Sequence, residues 1–268
     1  MQSKNISKSQ KLAKVLKKNI VEMIYNAQSS HLGGALSCLD ILSVLYSDVL
    51  RINPKKPNDS KRDFFVLSKG HVAAVVYATL ANLNFFNKKE LKNFGKNSSI
   101  LSAHISHKVK GVEVSTGSLG HGLPISIGLG IGHMKYDNRV FCMISDGELN
   151  CGSTWESIMF AGHHKLSSIY CLVDKNNIQS YGNTKDIINL KDLSKKFQSF
   201  GWNTFKSNGH DHKKILETFK LAIKKKTGPN VIIFETIKGK GIKNFENKLI
   251  SHYRPPTSNE YIEVKGEK

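Results

Sequence analysis

Four apolar runs, separated by helix-like segments, constrain the fold of this chain more than any other feature of its sequence. The runs are "DFFVLS" (63–68), "RVFCMIS" (139–145), "SIYCLVD" (168–174) and "NVIIFET" (230–236). Each is rich in β-branched and aromatic residues and is apolar at consecutive positions, which is typical of strands buried on both faces. Such strands need helices on both sides, so the sequence predicts a parallel sheet between two helical layers.

The segments between these runs have the composition and periodicity of helices. We predict helices near 39–50, 71–83, 121–134, 153–164, 189–200 and 211–226, and a weaker strand over 202–207. Near the N-terminus, apolar residues from Leu12 to Ala27 share one face of a further helix. Alternating strands and helices predict an α/β fold, with a doubly wound, mostly parallel sheet and helices on both faces.

The length of the chain is compatible with one core. Its 268 residues show no internal repeat and no long linker, so we expect a single domain over 1–268. The segment 256–268 follows two prolines and is expected to be a loosely held tail.

The net charge and the cysteine content limit the kinds of function and the cellular location that we expect for this chain. The formal net charge is +19, with 36 Lys but only 4 Arg. Because nucleic-acid readers usually depend on Arg and stacking aromatics, we favour a lysine-rich solvated surface, whose field also attracts phosphorylated anions. No apolar run approaches 18 residues, which predicts no membrane span. Four cysteines without a C-x-x-C pair predict reduced thiols and a cytoplasmic location.

Polar, glycine-containing segments follow all four apolar runs. They read "SKGH", "DGELN", "KNNIQSYG" and "IKGKG". In open α/β sheets, ligands bind beyond the carboxyl ends of the strands. The sequence therefore predicts one shared site at this edge of the sheet.

Asp146 and Asn176 are the candidate metal ligands at that edge. They lie 30 residues apart, each just past a strand end, so a βαβ unit brings them close together. Carboxylate and amide oxygens suit Mg²⁺ or Ca²⁺, and Gly147 allows a phosphate to approach the backbone. Taken by themselves, the two residues are more often a helix N-cap and a turn.

A family resemblance adds to this interpretation. "SDGELNCGSTWESIMFAGHHKLSSIYCLVDKNN" resembles the thiamine diphosphate motif, a G-D-G followed by Asn somewhat under thirty residues later. "SSHLGGALS", "LSKGHVAAVVYA", "LSAHISH", "GVEVSTGSLGHGL" and "SHYRPP" resemble transketolase in the same chain order. The resemblance covers about 10–256, and the chain is most similar to the N-terminal subunit of two-chain transketolases.

The resemblance implies thiamine diphosphate as cofactor, together with Mg²⁺ or Ca²⁺. The metal ligands would be Asp146, the side chain of Asn176 and the backbone carbonyl of Ile178. The implied cofactor-binding residues are His71, Gly117, Leu119, Asp146, Gly147, Glu148, Asn176 and His252.

Four of the eleven histidines match positions that line the transketolase substrate channel. The resemblance implies that His71 and His104 hold the C1 hydroxyl and carbonyl of a ketose. His31 and His252 would hold the C3 hydroxyl, whose deprotonation breaks the C2–C3 bond. A neutral imidazole suits this work because it can donate, accept and shuttle protons.

The implied reaction moves a two-carbon ketol group from a ketose phosphate to an aldose phosphate, with the cofactor as electron sink. In this family the glutamate that activates the aminopyrimidine belongs to the following domain, and this chain ends before it. We therefore expect an α2β2 assembly in which a C-terminal partner subunit supplies that domain.

Two alternatives stay open. One is another thiamine diphosphate enzyme, such as a deoxyxylulose-phosphate synthase or a 2-oxo acid dehydrogenase subunit; the histidines and "SHYRPP" argue against the latter. The other is a non-catalytic basic binding homologue, against which Asp146 and Asn176 speak. The chain also departs from the family pattern: Cys151 stands where an interface glutamate is usual, although Glu156 remains, and Ser145 replaces the first glycine of G-D-G.

Overall fold

The computed structural model of the protein describes residues 6–267. Its main sheet has five strands, all parallel, in the spatial order β1-β2-β3-β7-β6, and a short antiparallel pair, β4 and β5, follows β3. The strand bounds are β1 Phe64–Leu67, β2 Val140–Ser145, β3 Ile169–Lys175, β4 Ile178–Gln179, β5 Gly182–Asn183, β6 Asn203–Asn208 and β7 Asn230–Glu235.

Strands β1, β2, β3 and β7 are buried on both faces, as their continuous apolar runs predict. In β1, Phe65 and Leu67 enter one core, whereas Phe64 and Val66 enter a second core on the opposite face. β6, the weaker predicted strand, lies at the sheet edge and is only partly buried. β1 lies at the other edge but is buried along its whole length, so the more polar sequence of β6 matches its partial exposure rather than its edge position alone.

Helices cover both faces of this sheet. Side chains of α1, α3, α4 and α9 form the first core with the sheet, and those of α5, α6 and α8 form the second. This confirms the doubly wound α/β prediction. The helix bounds are α1 Lys8–Ala27, α2 Leu32–Ser37, α3 Leu39–Val44, α4 Ala73–Asn82, α5 Gly122–Gly132, α6 Gly152–His163, α7 Thr184–Ile187, α8 Leu193–Ser199, α9 His212–Lys224 and α10 Ser258–Gly266.

Local capping explains where the structure differs from the expected helix bounds. The helix expected from 189 begins instead at Leu193, because the side chain of Asp192 accepts a hydrogen bond from the Ser194 amide at 2.9 Å and caps it. The helix expected over 39–50 consists of α3 followed by a π-helical turn, Leu45–Val49.

The C-terminal segment is held more firmly than expected. Thr257 and Glu260 form a capping box that starts α10, and Arg254 pairs with Glu260 at 2.8 Å. Tyr261 stacks on Tyr25 of α1 with 4.5 Å between ring centroids, and Val264 is buried. The expectation of a loosely held tail over 256–268 is therefore wrong for 257–266; residue 268, like 1–5, lies outside the described part of the chain.

Within residues 6–267, no helix has the length and apolar character needed to cross a membrane.

Candidate active site

The loops at the carboxyl ends of β1, β2, β3 and β7 meet around a cavity of about 220 Å³. In the sheet register, Ser145 at the end of β2 lies opposite Asp174 near the end of β3, so the residues that follow the two strands face the same space. The cavity wall includes His31, Gly34, Lys69, His71, His104, Leu119, Ser145, Asp146, Gly147, Asn176, Ile178, Gln179, Ser180, Lys238 and His252.

Three residues of the cavity wall carry oxygen atoms suited to a metal: Asp146 with its carboxylate, Asn176 with its side-chain amide and Ile178 with its carbonyl. The Asp146 oxygens accept hydrogen bonds from the amides of Gly147, at 2.9 Å, and Asn177, at 2.6 Å. Burial, together with the charge of Asp174, raises the pKa of Asp146 to about 6. A nearby cation would favour its ionised form.

This donor set fits a hard divalent ion. One carboxylate, one amide oxygen and one peptide carbonyl are ligands that Mg²⁺ and Ca²⁺ accept, with phosphate oxygens and water completing the shell. Within residues 6–267, no group of three or more His, Cys, Asp or Glu side chains is arranged to hold a metal. A mixed oxygen set of this kind is therefore the candidate metal site of the described residues.

A buried ion pair beneath the cavity orients Asn176. Asp174 is fully buried and accepts hydrogen bonds from Lys69 Nζ at 2.5 Å and from Asn176 Nδ2 at 3.2 Å. Because the Asn176 amide nitrogen points at Asp174, its oxygen points the other way and accepts from the Ile178 amide at 3.1 Å. Burial alone would lower the pKa of Lys69, but the charge of Asp174 raises it. The pair is therefore charged.

Lys238 is a site residue that the sequence analysis did not single out. It is 3% exposed, and its Nζ lies 2.9 Å from the Ile178 carbonyl oxygen and 3.1 Å from His252 Nδ1. Burial lowers its pKa to about 8, so the ammonium form still dominates at pH 7. Its signal was present in the sequence, because "IKGKG" follows the last central strand, where ligands bind.

The four predicted histidines form a cluster on the cavity wall. The ring centroid of His31 lies 4.9 Å from that of His71, 4.8 Å from that of His252 and 6.3 Å from that of His104. His31 has a left-handed backbone, φ 71°, and its amide donates to the His252 carbonyl at 2.9 Å. These contacts join parts of the chain that are more than 200 residues apart.

Burial keeps most of this cluster uncharged. It is the main cause that lowers the pKa of His31 to about 4 and that of His252 to about 3, with the charge of Lys238 adding to both. Burial, followed by neighbouring His31, lowers the pKa of His71 well below its usual value. At pH 7 these three imidazoles are neutral and can both donate and accept hydrogen bonds.

Two of the implied cofactor-binding residues, Gly117 and Glu148, lie behind the cavity wall rather than on it. A Cβ added at Gly117 would stand 3.3 Å from the His104 ring, so this glycine backs that histidine. Glu148 is fully buried, accepts from the Gly120 amide at 2.9 Å and is hydrogen-bonded to Ser68. Both residues therefore position the wall, and Glu148 supports the loop that presents Leu119.

The departures from the family pattern also lie outside the metal donors. The hydroxyl of Ser145 accepts a hydrogen bond from the Glu148 amide at 3.1 Å and so closes the turn after β2. Cys151 is half-buried at the start of α6, and Glu156 is exposed on the same helix. Their part in linking paired sites stays a prediction.

Comparison with known proteins agrees with this geometry. The family model "Transketolase, thiamine diphosphate binding domain" matches residues 8–267. The chain belongs to the transketolase family. The transketolase of Campylobacter jejuni shares the fold with a TM-score of 0.91 and 31% identity, over 97% of this chain and 42% of that one. The chain thus spans less than half of that transketolase and corresponds to its thiamine diphosphate-binding part.

Relatives of similar length are named as subunits of larger enzymes. One is a subunit of the apulose-4-phosphate transketolase of Phocaeicola vulgatus, 36% identical over 94% of this chain and 90% of that protein. Another is a subunit of the 6-deoxy-6-sulfo-D-fructose transketolase of a Clostridium species, 34% identical over 90% of this chain and 88% of that protein. Mouse transketolase is 35% identical over 87% of this chain but only 37% of its own length.

Proposed function

We propose that this chain is the N-terminal subunit of a two-chain transketolase. With thiamine diphosphate and a divalent metal, Mg²⁺ or Ca²⁺, the assembled enzyme transfers a two-carbon ketol group from a ketose phosphate to an aldose phosphate. The observation that supports this best is the cavity itself. It combines an oxygen-donor set for a metal, a buried lysine and four clustered histidines in one space.

The diphosphate end of the cofactor is assigned to the carboxyl ends of β2, β3 and β7. Asp146, Asn176 and the Ile178 carbonyl would hold the metal, and Lys238 would place a positive charge beside the phosphates. A Cβ added at Gly147 would lie 2.9 Å from the Gln179 side chain, so the turn has no room for a larger residue. When bound, thiamine diphosphate supplies the electron sink for carbon–carbon bond cleavage.

The histidine cluster is assigned to the sugar. His71 and His104 would hold the C1 hydroxyl and the carbonyl, and His31 and His252 the C3 hydroxyl. The lowered pKa values of His31 and His252 leave both rings uncharged at pH 7. Because the Lys238 ammonium lies 3.1 Å from His252 Nδ1, the proton of His252 is on Nε2 and would be donated to the hydroxyl, which leaves His31 as the ring that would accept a proton.

A partner chain would complete the site. The full-length transketolases extend well beyond the matched region, whereas the two subunit relatives are matched over about nine-tenths of their length. This supports a C-terminal partner chain that carries the pyrimidine-binding domain and its activating glutamate, in an α2β2 assembly. The four free cysteines support a cytoplasmic enzyme.

Cofactor binding provides the first test. Thermal unfolding of the chain with its partner is measured with and without thiamine diphosphate and Mg²⁺. At 100 times Kd, a ligand stabilises by about 2.7 kcal/mol, which is about 5 °C for a chain of this size. Asp146→Ala should abolish the shift. Ser7→Ala, which removes the N-cap of α1 and does not alter the cavity wall, should lower the midpoint but keep the shift.

Turnover assays distinguish the proposed transketolase from the alternative functions. We expect ketol transfer from the mixed subunits and none from this chain alone. Cofactor binding with turnover of a 2-oxo acid instead would point to another thiamine diphosphate enzyme. A missing cofactor shift, combined with nucleic-acid binding at moderate salt, would point to a basic binding homologue.

A further inference from the structure

A second polar cluster lies outside the cavity, between α3 and the start of α9. Asp40 of α3 accepts hydrogen bonds from two histidines: its Oδ2 lies 2.9 Å from His210 Nδ1, and its Oδ1 lies 3.1 Å from His212 Nε2. None of these three residues belongs to the cavity wall described above. All three are partly buried, so the cluster is a built feature rather than a surface encounter.

The hydrogen bonds fix the proton on His210. The backbone amide of Ile237 donates to His210 Nε2 at 2.9 Å, so this nitrogen must carry a lone pair. The proton then sits on Nδ1 and is donated to Asp40. Burial alone would raise the pKa of Asp40, but its hydrogen bonds to His210 and His212 lower it, so it accepts as a carboxylate. Hydrogen bonds therefore connect Asp40 through His210 to the backbone amide of Ile237.

The backbone amide that His210 contacts belongs to the residue immediately before Lys238. In the turn after β7, the Thr236 amide donates to the Lys175 carbonyl at 3.1 Å, and the Gly239 amide donates to the Gly33 carbonyl at 2.9 Å. Between these two anchors, the Ile237 amide is held by a side chain, that of His210. Lys238 is the next residue, and its ammonium reaches 2.9 Å from the Ile178 carbonyl.

We propose that His210 is a positioning residue that fixes the backbone at Ile237 and thereby aims Lys238 into the cofactor cavity. Asp40 sets the His210 tautomer that makes this possible. The inference rests on the proposed function, since it assigns Lys238 to the cofactor's phosphates. It predicts that losing the acceptor at His210 weakens phosphate binding although His210 touches no ligand.

Two replacements of His210 separate its two hydrogen bonds. His210→Gln places an amide oxygen near Nε2 and retains an acceptor for the Ile237 amide, whereas His210→Asn mimics Nδ1 and loses it. His212→Asn is the matched control, because it removes the other bond to Asp40 and leaves Ile237 untouched. The Kd for thiamine diphosphate and for inorganic pyrophosphate, each with Mg²⁺, is measured by calorimetry on the assembled subunits, alongside thermal unfolding.

We expect His210→Asn to weaken both ligands about 5- to 10-fold, as for one lost buried hydrogen bond. His210→Gln and His212→Asn should stay within about twofold. Asp40→Ala should weaken both ligands in the same direction as His210→Asn, because it removes the acceptor that holds the proton on Nδ1; it also provides the test if His210→Asn does not fold. In a Lys238→Met background, His210→Asn should add less than about twofold.

The opposing results are equally specific. Equal losses from His212→Asn and His210→Asn, or a full additional loss in the Lys238→Met background, would show that His210 does not act through Lys238. If the wild type binds the cofactor and Asp146→Ala does not, a silent His210→Asn overturns this inference alone. If the wild type binds neither ligand, the proposed function fails with it.

Discussion

The buried pair of Lys69 and Asp174 gives the sharpest test of how this site is built. Both side chains are at most 1% exposed. Asp174→Asn keeps the size of the side chain but removes its charge, and Lys69 is then left with a neutral amide and the Gly34 carbonyl, 3.1 Å away. Removing one partner of a buried ion pair costs about 3–5 kcal/mol, because the remaining charge stays desolvated.

The expected change in unfolding temperature follows from the size of the chain. With about 2.1 cal/mol/K per residue, 268 residues give an unfolding entropy of about 0.56 kcal/mol/K. Asp174→Asn should therefore lower the midpoint by about 5–9 °C in calorimetry, and urea unfolding should give the matching loss of free energy.

Replacing Lys69, the other member of the ion pair, tests whether the loss of stability comes from an unpaired buried charge. Lys69→Met alone should cost less than Asp174→Asn, because Asp174 retains donors from Ser37, Thr236 and Asn176. Combined with Asp174→Asn, it should restore stability relative to that single variant, since no buried charge is left unpaired. Cofactor affinity should not recover, because Asn176 no longer faces an ionised acceptor. A double variant less stable than Asp174→Asn would refute this reasoning.

Three further predictions address the wall, the histidines and the thiols. Glu148→Gln should lower the unfolding midpoint by about 2–5 °C, since the Gly120 amide loses a charged acceptor; an unchanged midpoint would contradict this. Because His31 and His252 titrate below the usual histidine pKa, both bind more protons in the unfolded chain below about pH 6.5; the free energy of unfolding in urea should therefore be level from about pH 6.5 to 8 and fall toward pH 4, with the raised pKa of Asp146 offsetting part of the fall, and it should fall less steeply after His252→Asn, whereas a level profile down to pH 4 would count against burial. At pH 8 a disulfide reagent should label Cys151 first. The other three cysteines, Cys38, Cys142 and Cys171, are buried and their thiol pKa is raised by burial, so they should react only after unfolding.

Much of the fold could be read from local patterns because strands buried on two faces leave an unbroken apolar run. The runs at 63–68, 139–145, 168–174 and 230–236 all became strands of one parallel sheet. The same logic brought together the two proposed metal ligands, since Asp146 and Asn176 follow neighbouring strands. The C-terminal helix was not predicted although its capping box is legible in "TSNE", because the two prolines before it suggested the end of ordered structure.

The supporting residues could not be predicted from local patterns. Asp174 ends an apolar run, where an acid normally marks the exit to solvent, yet it is fully buried. What keeps it there is Lys69, 105 residues earlier and on another loop. Each charge of such a pair is stable in the interior only when the other is present, so the sequence around either residue does not indicate its role. Lys238 differs, because its place after a strand end was visible and only its burial was not.

The histidine cluster shows why the order of strands and helices along the chain is not enough to predict all residues of this site. His71 follows β1 and fits the rule that ligands bind beyond strand ends, but His31 and His252 lie on segments before the first strand and after the last. The backbone bond from His31 to His252 and the left-handed turn at His31 bring those two segments together over the cavity. The proposed phosphate-binding end lies at the carboxyl ends of the strands, whereas two histidines of the proposed sugar-binding end, His31 and His252, come from segments outside the sheet. Local patterns therefore predicted the first, and only the family resemblance indicated the second.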